Sequence, residues 1–157
     1  MIVNDDQVEL FHAIFYDDIK RIGKAVEKYG INAVNHDMET PLIYAVMMEK
    51  CQIVNWLLAH GADMYLRNIF GDTAFHLAAK KGLLDIVDSF CVREIQLDIL
   101  GDEGYTALNY AVTFDHDNVA KLLIKKGASL AIADDLFHKT PLDRILEKGK
   151  SNLLLGE

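Results

Sequence analysis

The chain has 157 residues, 51% hydrophobic and 25% charged, an ordinary globular composition sufficient for one domain. Lys+Arg 16 against Asp+Glu 24 gives a formal net charge of -8, which repels a phosphate backbone, and the adjacent lysine pairs Lys80-Lys81 and Lys125-Lys126 fall on different expected helices. No run approaches the roughly 20 apolar residues of a membrane span, and the opening Met1-Ile2-Val3-Asn4-Asp5-Asp6 is acidic where a signal peptide would be basic. Nucleic acid and membrane are therefore not expected partners, and the expected compartment is the cytoplasm.

Threonines organise the rest. Thr40, Thr73 and Thr106 stand 33 residues apart, and Thr140 follows 34 beyond, so one supersecondary unit is copied and stacked. Taken in order, residues 7–35 form a degenerate first unit in which Leu10, Ala13 and Ile22 match Leu42, Ala45 and Val54 at an offset of 32. Asp18 opens its second helix, and loss of the consensus suits a capping unit with one face toward water. The second unit covers 36–66, where Met38 takes a turn position held by glycine in later units and predicts a different or strained tip. The third, 67–99, ends in Arg93-Glu94-Ile95-Gln96 where glycine is expected, which predicts an altered helix end. The fourth, 100–132, is regular. The fifth, 133–157, carries one extra residue before Thr140 and leaves about two turns, Ser151 to Leu155, for its second helix, with Leu153-Leu154-Leu155 covering the end of the core.

Each threonine reads as an N-cap. Proline at the first helical position, Pro41 and Pro141, has no amide hydrogen to leave unpaired. Ala45, Ala78 and Ala111 let a short first helix approach its neighbours. The second helices carry a stripe of helical period: Ile53-Val54 with Leu57-Leu58, Ile86-Val87 with Phe90-Cys91, and Val119-Ala120 with Leu123-Ile124. Gly61 and Gly127 then offer a left-handed helix end, and Gly71 and Gly104 suit a hairpin turn at the repeat junction.

Gly71-Asp72-Thr73-Ala74-Phe75-His76-Leu77-Ala78-Ala79 resembles the ankyrin repeat signature. Thr40-Pro41-Leu42 and Thr140-Pro141-Leu142 are similar to its Thr-Pro-Leu, and Gly61-Ala62-Asp63 and Gly127-Ala128-Ser129 to its closing Gly-Ala-Asp. The resemblance covers roughly 7 to 150. It implies an all-α ankyrin-repeat solenoid of about five helix-turn-helix units joined by short β-hairpin-like loops, making 1–157 a single domain with capping outer units.

Catalytic patterns are missing: the sequence has no phosphate-binding glycine loop, no His-Glu-x-x-His and no Cys-x-x-Cys. Asp115-His116-Asp117 is the densest acid-base or metal-binding cluster, but it sits where the family places a Gly-His turn and reads as a solvated turn. A metal-dependent enzyme built on it is the third alternative for function. His76 matches the family's structural histidine, while His12, His36, His60 and His138 are dispersed. Cys51 and Cys91 are expected reduced, Cys91 in the core. No cofactor and no metal are expected.

The resemblance also implies where a partner would bind. The family's variable positions lie just before the threonine and seven and eight residues after it. Transferred here, they give Glu39, Asp72, Tyr105 and Lys139, then Met47-Met48, Lys80-Lys81, Thr113-Phe114 and Glu147-Lys148 on a concave palm. The hairpin tips add His36, Asp37, Ile69, Phe70, Asp102, Glu103, Leu136 and Phe137, and the capping unit adds Phe15 and Tyr16. This set is rich in aromatics and methionine, as protein interfaces are. The function expected is non-catalytic protein binding, by a monomer or by a chain that dimerises through the apolar palm, and acidity favours a partner with a basic face. A small chain complete with caps resembles a stoichiometric inhibitor or immunity protein of an enzyme or toxin. A truncated last unit would favour a fragment of an adaptor or bacterial effector recruiting a host protein.

Overall fold

The computed structural model describes residues 8–155. They fall into two compact units divided between Ala74 and Phe75, each described by itself. The first unit holds α1 (Val8–Phe15), α2 (Ile19–Tyr29), α3 (Pro41–Met47) and α4 (Cys51–Ala59). The second holds α5 (Ala74–Lys80, whose first residue closes the first unit), α6 (Leu84–Cys91), α7 (Ala107–Thr113), α8 (Asp117–Lys125), α9 (Pro141–Glu147) and a 3-10 helix, Ser151–Leu154. Among the described residues the fold is all-α, with one isolated antiparallel bridge between Arg67 and Thr73.

Helices of seven residues do not persist alone in water, so capping and packing must hold them. The hydroxyls of Thr40 and Thr106 accept the amides of Ile43 (3.2 Å) and Asn109 (3.1 Å). Thr140 forms a reciprocal capping box with Asp143, and Asp18 caps α2 through the Arg21 amide at 3.0 Å. Gly61 (φ 85°) and Gly127 (φ 96°) take the left-handed conformation behind α4 and α8. Behind α6 the same conformation falls on Glu94 (φ 56°), which is the altered helix end that the missing glycine predicts.

In the first unit α1 packs on α2 and α3, and α3 on α4, burying Leu10, Ala13, Ile14, Ile22, Ile43, Ala45, Ile53 and Leu57. In the second, α7 packs on α8 and α9, α6 on α8, and α8 on the 3-10 helix, around Phe90, Leu108, Ala111, Leu123 and Ile145. Two sequence expectations change. Cys91 is half-buried at the rim of the stripe, and burial pushes its thiol above the usual value. Of Leu153-Leu154-Leu155 only Leu153 is buried, because the 3-10 geometry turns Leu155 outward.

Four hairpins recur in register. Each is closed by the amide of its first residue on the carbonyl of the residue before the threonine: Asn35 to Glu39 (3.0 Å), Asn68 to Asp72 (2.9 Å), Gly101 to Tyr105 (2.7 Å) and Asp134 to Lys139 (3.1 Å). The extra residue of the last unit is absorbed in that tip. A left-handed residue stands two before each threonine: Met38 (φ 58°), Gly71 (φ 90°), Gly104 (φ 72°) and His138 (φ 53°). Met38 thus holds a conformation that glycine adopts without strain, as its place in the repeat predicts.

Candidate protein interface

In the first unit, Asn68 builds the tip that displays the most apolar surface. Its side-chain oxygen accepts the amides of Phe70 and Asp72, both at 3.0 Å, and Arg67 donates to the Gly71 carbonyl at 2.6 Å. On this fixed loop Ile69 and Phe70 are 61% and 64% exposed. Asn35 repeats the device one unit earlier, accepting from Asp37 (3.0 Å) and Glu39 (2.9 Å), so that His36, Asp37 and also Met38 face solvent. Glu39 is half-buried, its carboxylate taking the Asn35 amide nitrogen at 2.7 Å. At the end of α1 the exposed rings of Phe15 and Tyr16 meet edge-on at 5.1 Å. Met47 and Met48 are half-buried at the end of α3.

In the second unit the tip 134–139 exposes Leu136 (50%) and Phe137 (58%). It stands on a buried polar cluster. Asp134 accepts the Phe137 amide at 2.6 Å and pairs with Arg144, whose guanidinium also donates to the Tyr105 hydroxyl at 3.1 Å. The same guanidinium lies 5.4 Å from the Tyr105 ring and 5.6 Å from the Phe137 ring. Burial pushes the Asp134 carboxyl up, but the Phe137 amide and Arg144 outweigh it and hold its pKa below the usual carboxylate value. The neighbouring tip leans on this one: the Glu103 carbonyl accepts the Asp135 amide at 2.8 Å, and a Cβ on Gly104 would stand 2.7 Å from the Asp135 carboxyl, so Gly104 has to be glycine. Glu103 is exposed and Asp102 half-buried. At the end of α7, Phe114 stacks on Tyr110 at 6.3 Å, and the Lys80 ammonium lies over both rings at 4.9 Å (Tyr110) and 6.0 Å (Phe114). Lys81 is exposed, Thr113 half-buried, and Lys139 half-buried with its ammonium on Glu147 at 2.7 Å.

Two residues expected to face a partner are buried: Tyr105 is 6% exposed and Asp72 1%. The residue before each threonine closes the base of its hairpin through the carbonyl rather than riding on the tip. Tyr105 is further drawn in by Arg144 and by its stack on Tyr110 at 4.8 Å, and burial raises its phenol pKa. The structure thus pairs Phe15 with Tyr16 and Lys80 with Phe114 and leaves Ile69, Phe70, Leu136 and Phe137 exposed on their tips.

Asp115-His116-Asp117 is the solvent-facing turn that its place in the repeat predicts, and it also acts as a clamp. Asp115 takes a left-handed backbone (φ 62°), and its carboxylate receives Lys148 and Lys150, both at 2.8 Å, which hold its pKa at about 2. Lys150 also reaches Asp117 at 2.6 Å, while Lys148 caps α7 through the carbonyls of Val112 (3.0 Å) and Thr113 (2.9 Å). The Nε2 nitrogen of His116 donates to the Lys80 carbonyl at 3.0 Å, and His76 does the same to Ile99 at 2.9 Å. These groups are committed to joining neighbouring helix pairs, and among the described residues no three His, Cys, Asp or Glu side chains converge as a metal site would need.

Threonine-capped helix pairs, a second helix with its apolar stripe and hairpins closed in one register together define an ankyrin repeat protein. The family model described as ankyrin repeats, three copies, matches residues 42–134, more than half of the sequence, and the chain belongs to that family. Alpha-latrocrustotoxin-Lt1a of Latrodectus tredecimguttatus is 36% identical over 115 residues, 73% of this chain and 8% of the toxin. The ANK repeat-containing protein nipk-1 of Caenorhabditis elegans is 30% identical over 138 residues, 78% of this chain and 23% of that protein. The B-cell lymphoma 3 protein homolog of Mus musculus is 28% identical over 159 aligned positions, 96% of this chain and 36% of that protein. The chain thus spans between 8% and 36% of the lengths of these relatives. Ankyrin repeats bind other proteins and are in general non-catalytic. No helix among the described residues is long and apolar enough to cross a membrane.

Proposed function

We propose that the chain is a protein-binding module that engages its partner through the hairpin tips and the ends of the first helices. In the first unit these are Ile69 and Phe70 with Phe15 and Tyr16; in the second they are Leu136 and Phe137 with Phe114, Lys80 and Lys81. The observation that supports this reading is the exposure of the Ile69-Phe70 and Leu136-Phe137 pairs on loops that Asn68 and Asp134 lock from beneath. A rigid loop loses little freedom on binding, so its apolar surface is converted to affinity efficiently. The net charge of -8 adds steering toward a partner with a basic face. The relatives' names share no single activity, so what they lend to this chain is the scaffold alone.

The test is capture from the source cell by the intact chain beside Phe70→Ala/Phe137→Ala, repeated with the captured protein purified. A partner held by the intact chain and lost by the variant supports the reading. An activity assay on that partner then separates a stoichiometric inhibitor, which silences it, from an adaptor, which does not. A partner held equally by both moves the interface off the tips.

A further inference from the structure

In the second unit Lys126 pairs with Asp88 at 3.8 Å, Lys139 with Glu147 at 2.7 Å, and Lys148 and Lys150 with Asp115 at 2.8 Å. Lys80 differs. It is half-buried at the end of α5, and among the described residues its ammonium meets no carboxylate and no hydrogen-bond acceptor, only the rings of Tyr110 and Phe114. In a chain with 24 acidic residues, this cation is left without an anion.

Its surroundings hold it in place. Tyr105, Tyr110 and Phe114 stack in a row, at 4.8 Å and then 6.3 Å, and the row runs from buried to open, with Tyr110 4% exposed and Phe114 48%. The ammonium stands over the open end, 4.9 Å from the Tyr110 ring and 6.0 Å from that of Phe114. The Lys80 carbonyl accepts the Nε2 proton of His116 at 3.0 Å, which fixes the end of α5. The rings exclude water from one side of the charge, so an anion arriving on the other side is attracted more strongly than at a fully solvated lysine. No existing ion pair has to break first.

The donor set selects the kind of anion. A phosphate is best held by several donors or by an arginine fork. Here Arg144 is paired with Asp134, and Lys148 and Lys150 with Asp115, which leaves a single ammonium. The net charge of -8 also repels a doubly charged group more than a singly charged one. A carboxylate fits one ammonium, and the open Phe114 ring beside it gives an apolar neighbour a surface to lie on.

We propose that Lys80, with the Tyr110 and Phe114 rings, is the seat for a carboxylate of the partner protein, an aspartate or glutamate whose apolar neighbour lies on Phe114. This rests on the protein-binding reading above and names one contact within it. The net charge governs the partner's approach, and this seat one point of the surface it presents.

The probe is the blocked peptide acetyl-Leu-Glu-Phe-amide, titrated into the full chain while magnetic resonance follows the Lys80 ε-methylene and the Phe114 ring. Both signals are expected to move, with a dissociation constant in the millimolar range, and the peptide with glutamine for glutamate to bind at least about tenfold more weakly. Lys80→Met is expected to lose the glutamate peptide and Lys80→Arg to keep it. Both variants retain the backbone carbonyl that His116 uses, so the end of α5 stays in place. Equal binding of the glutamine peptide overturns the proposal, as does the absence of any shift. Tighter binding of the phosphoserine counterpart overturns it by making phosphate the ligand, and equal shifts at the exposed Lys121 and Lys125 by making the attraction a general one. The peptide carries nothing for the hairpin tips, so its failure leaves the tip reading standing. A partner held by Phe70→Ala/Phe137→Ala but lost by Lys80→Met would sink the tips and keep this seat.

Discussion

The hairpins at 68–72 and 101–105 close with the same backbone bond and show solvent opposite faces. The first, held by the Asn68 side chain, puts Ile69 and Phe70 outside; the second, with glycine in that place, puts Asp102 and Glu103 on its tip and sinks its aromatic, Tyr105, at the base. Aromatic content near a repeat junction therefore does not mark a binding residue. What decides is whether the ring stands on the tip or at the closing position, and whether a buried partner draws it in. Tyr105 has such a partner in Arg144, and Phe70 has solvent.

The largest effect that sharpens this contrast is on stability. Tyr105→Ala removes a buried ring and leaves the Arg144-Asp134 pair without its cover, so it is expected to cost about 3–5 kcal/mol in denaturant unfolding. A loss below about 1 kcal/mol would return Tyr105 to the surface set. Acid comes next. The Asp134 pKa lies below the value of the unfolded chain, so its contribution is complete above about pH 4 and is lost as the pH falls through the folded value. Asp134→Asn is expected to be less stable at neutral pH and to flatten the fall in unfolding midpoint on acidification; an unchanged acid limb would remove Asp134 from the account. Lys148 and Lys150 hold Asp115 at about 2, and because it is exposed its ion pairs fade in high salt.

A smaller effect tests the first hairpin. Met38 holds a left-handed backbone where the 68–72 tip has Gly71, so Met38→Gly is expected to raise stability by about 0.5–1 kcal/mol. A destabilised Met38→Gly would mean that the methionine side chain contributes more than its backbone costs.

The repeat was legible because it rests on local rules. A threonine cap, a proline at the first helical position and an apolar stripe each act within a turn or two of helix, and Ala45, Ala78 and Ala111 are all fully buried as their spacing requires. The exposed tip residues Ile69, Phe70, Leu136 and Phe137 were legible for the same reason, lying at the middle of short turns. Tyr105, Asp134 and Arg144 were not, since Arg144 follows Asp134 by 10 residues and Tyr105 by 39. One signal was present: Arg144 stands four residues after its threonine, where Tyr44 and Tyr110 stand in other units, and a charge at an inward position needs a counter-charge.

The central claim is that the tips bind and Tyr105 does not. Its most direct test is the affinity of a purified partner for the intact chain and for Phe70→Ala/Phe137→Ala, read beside the unfolding midpoint of each. The expected result is a loss of at least about 2 kcal/mol of binding, roughly 30-fold, with the midpoint unchanged. Equal affinity with an unchanged midpoint, or a large fall in the midpoint, would contradict the account.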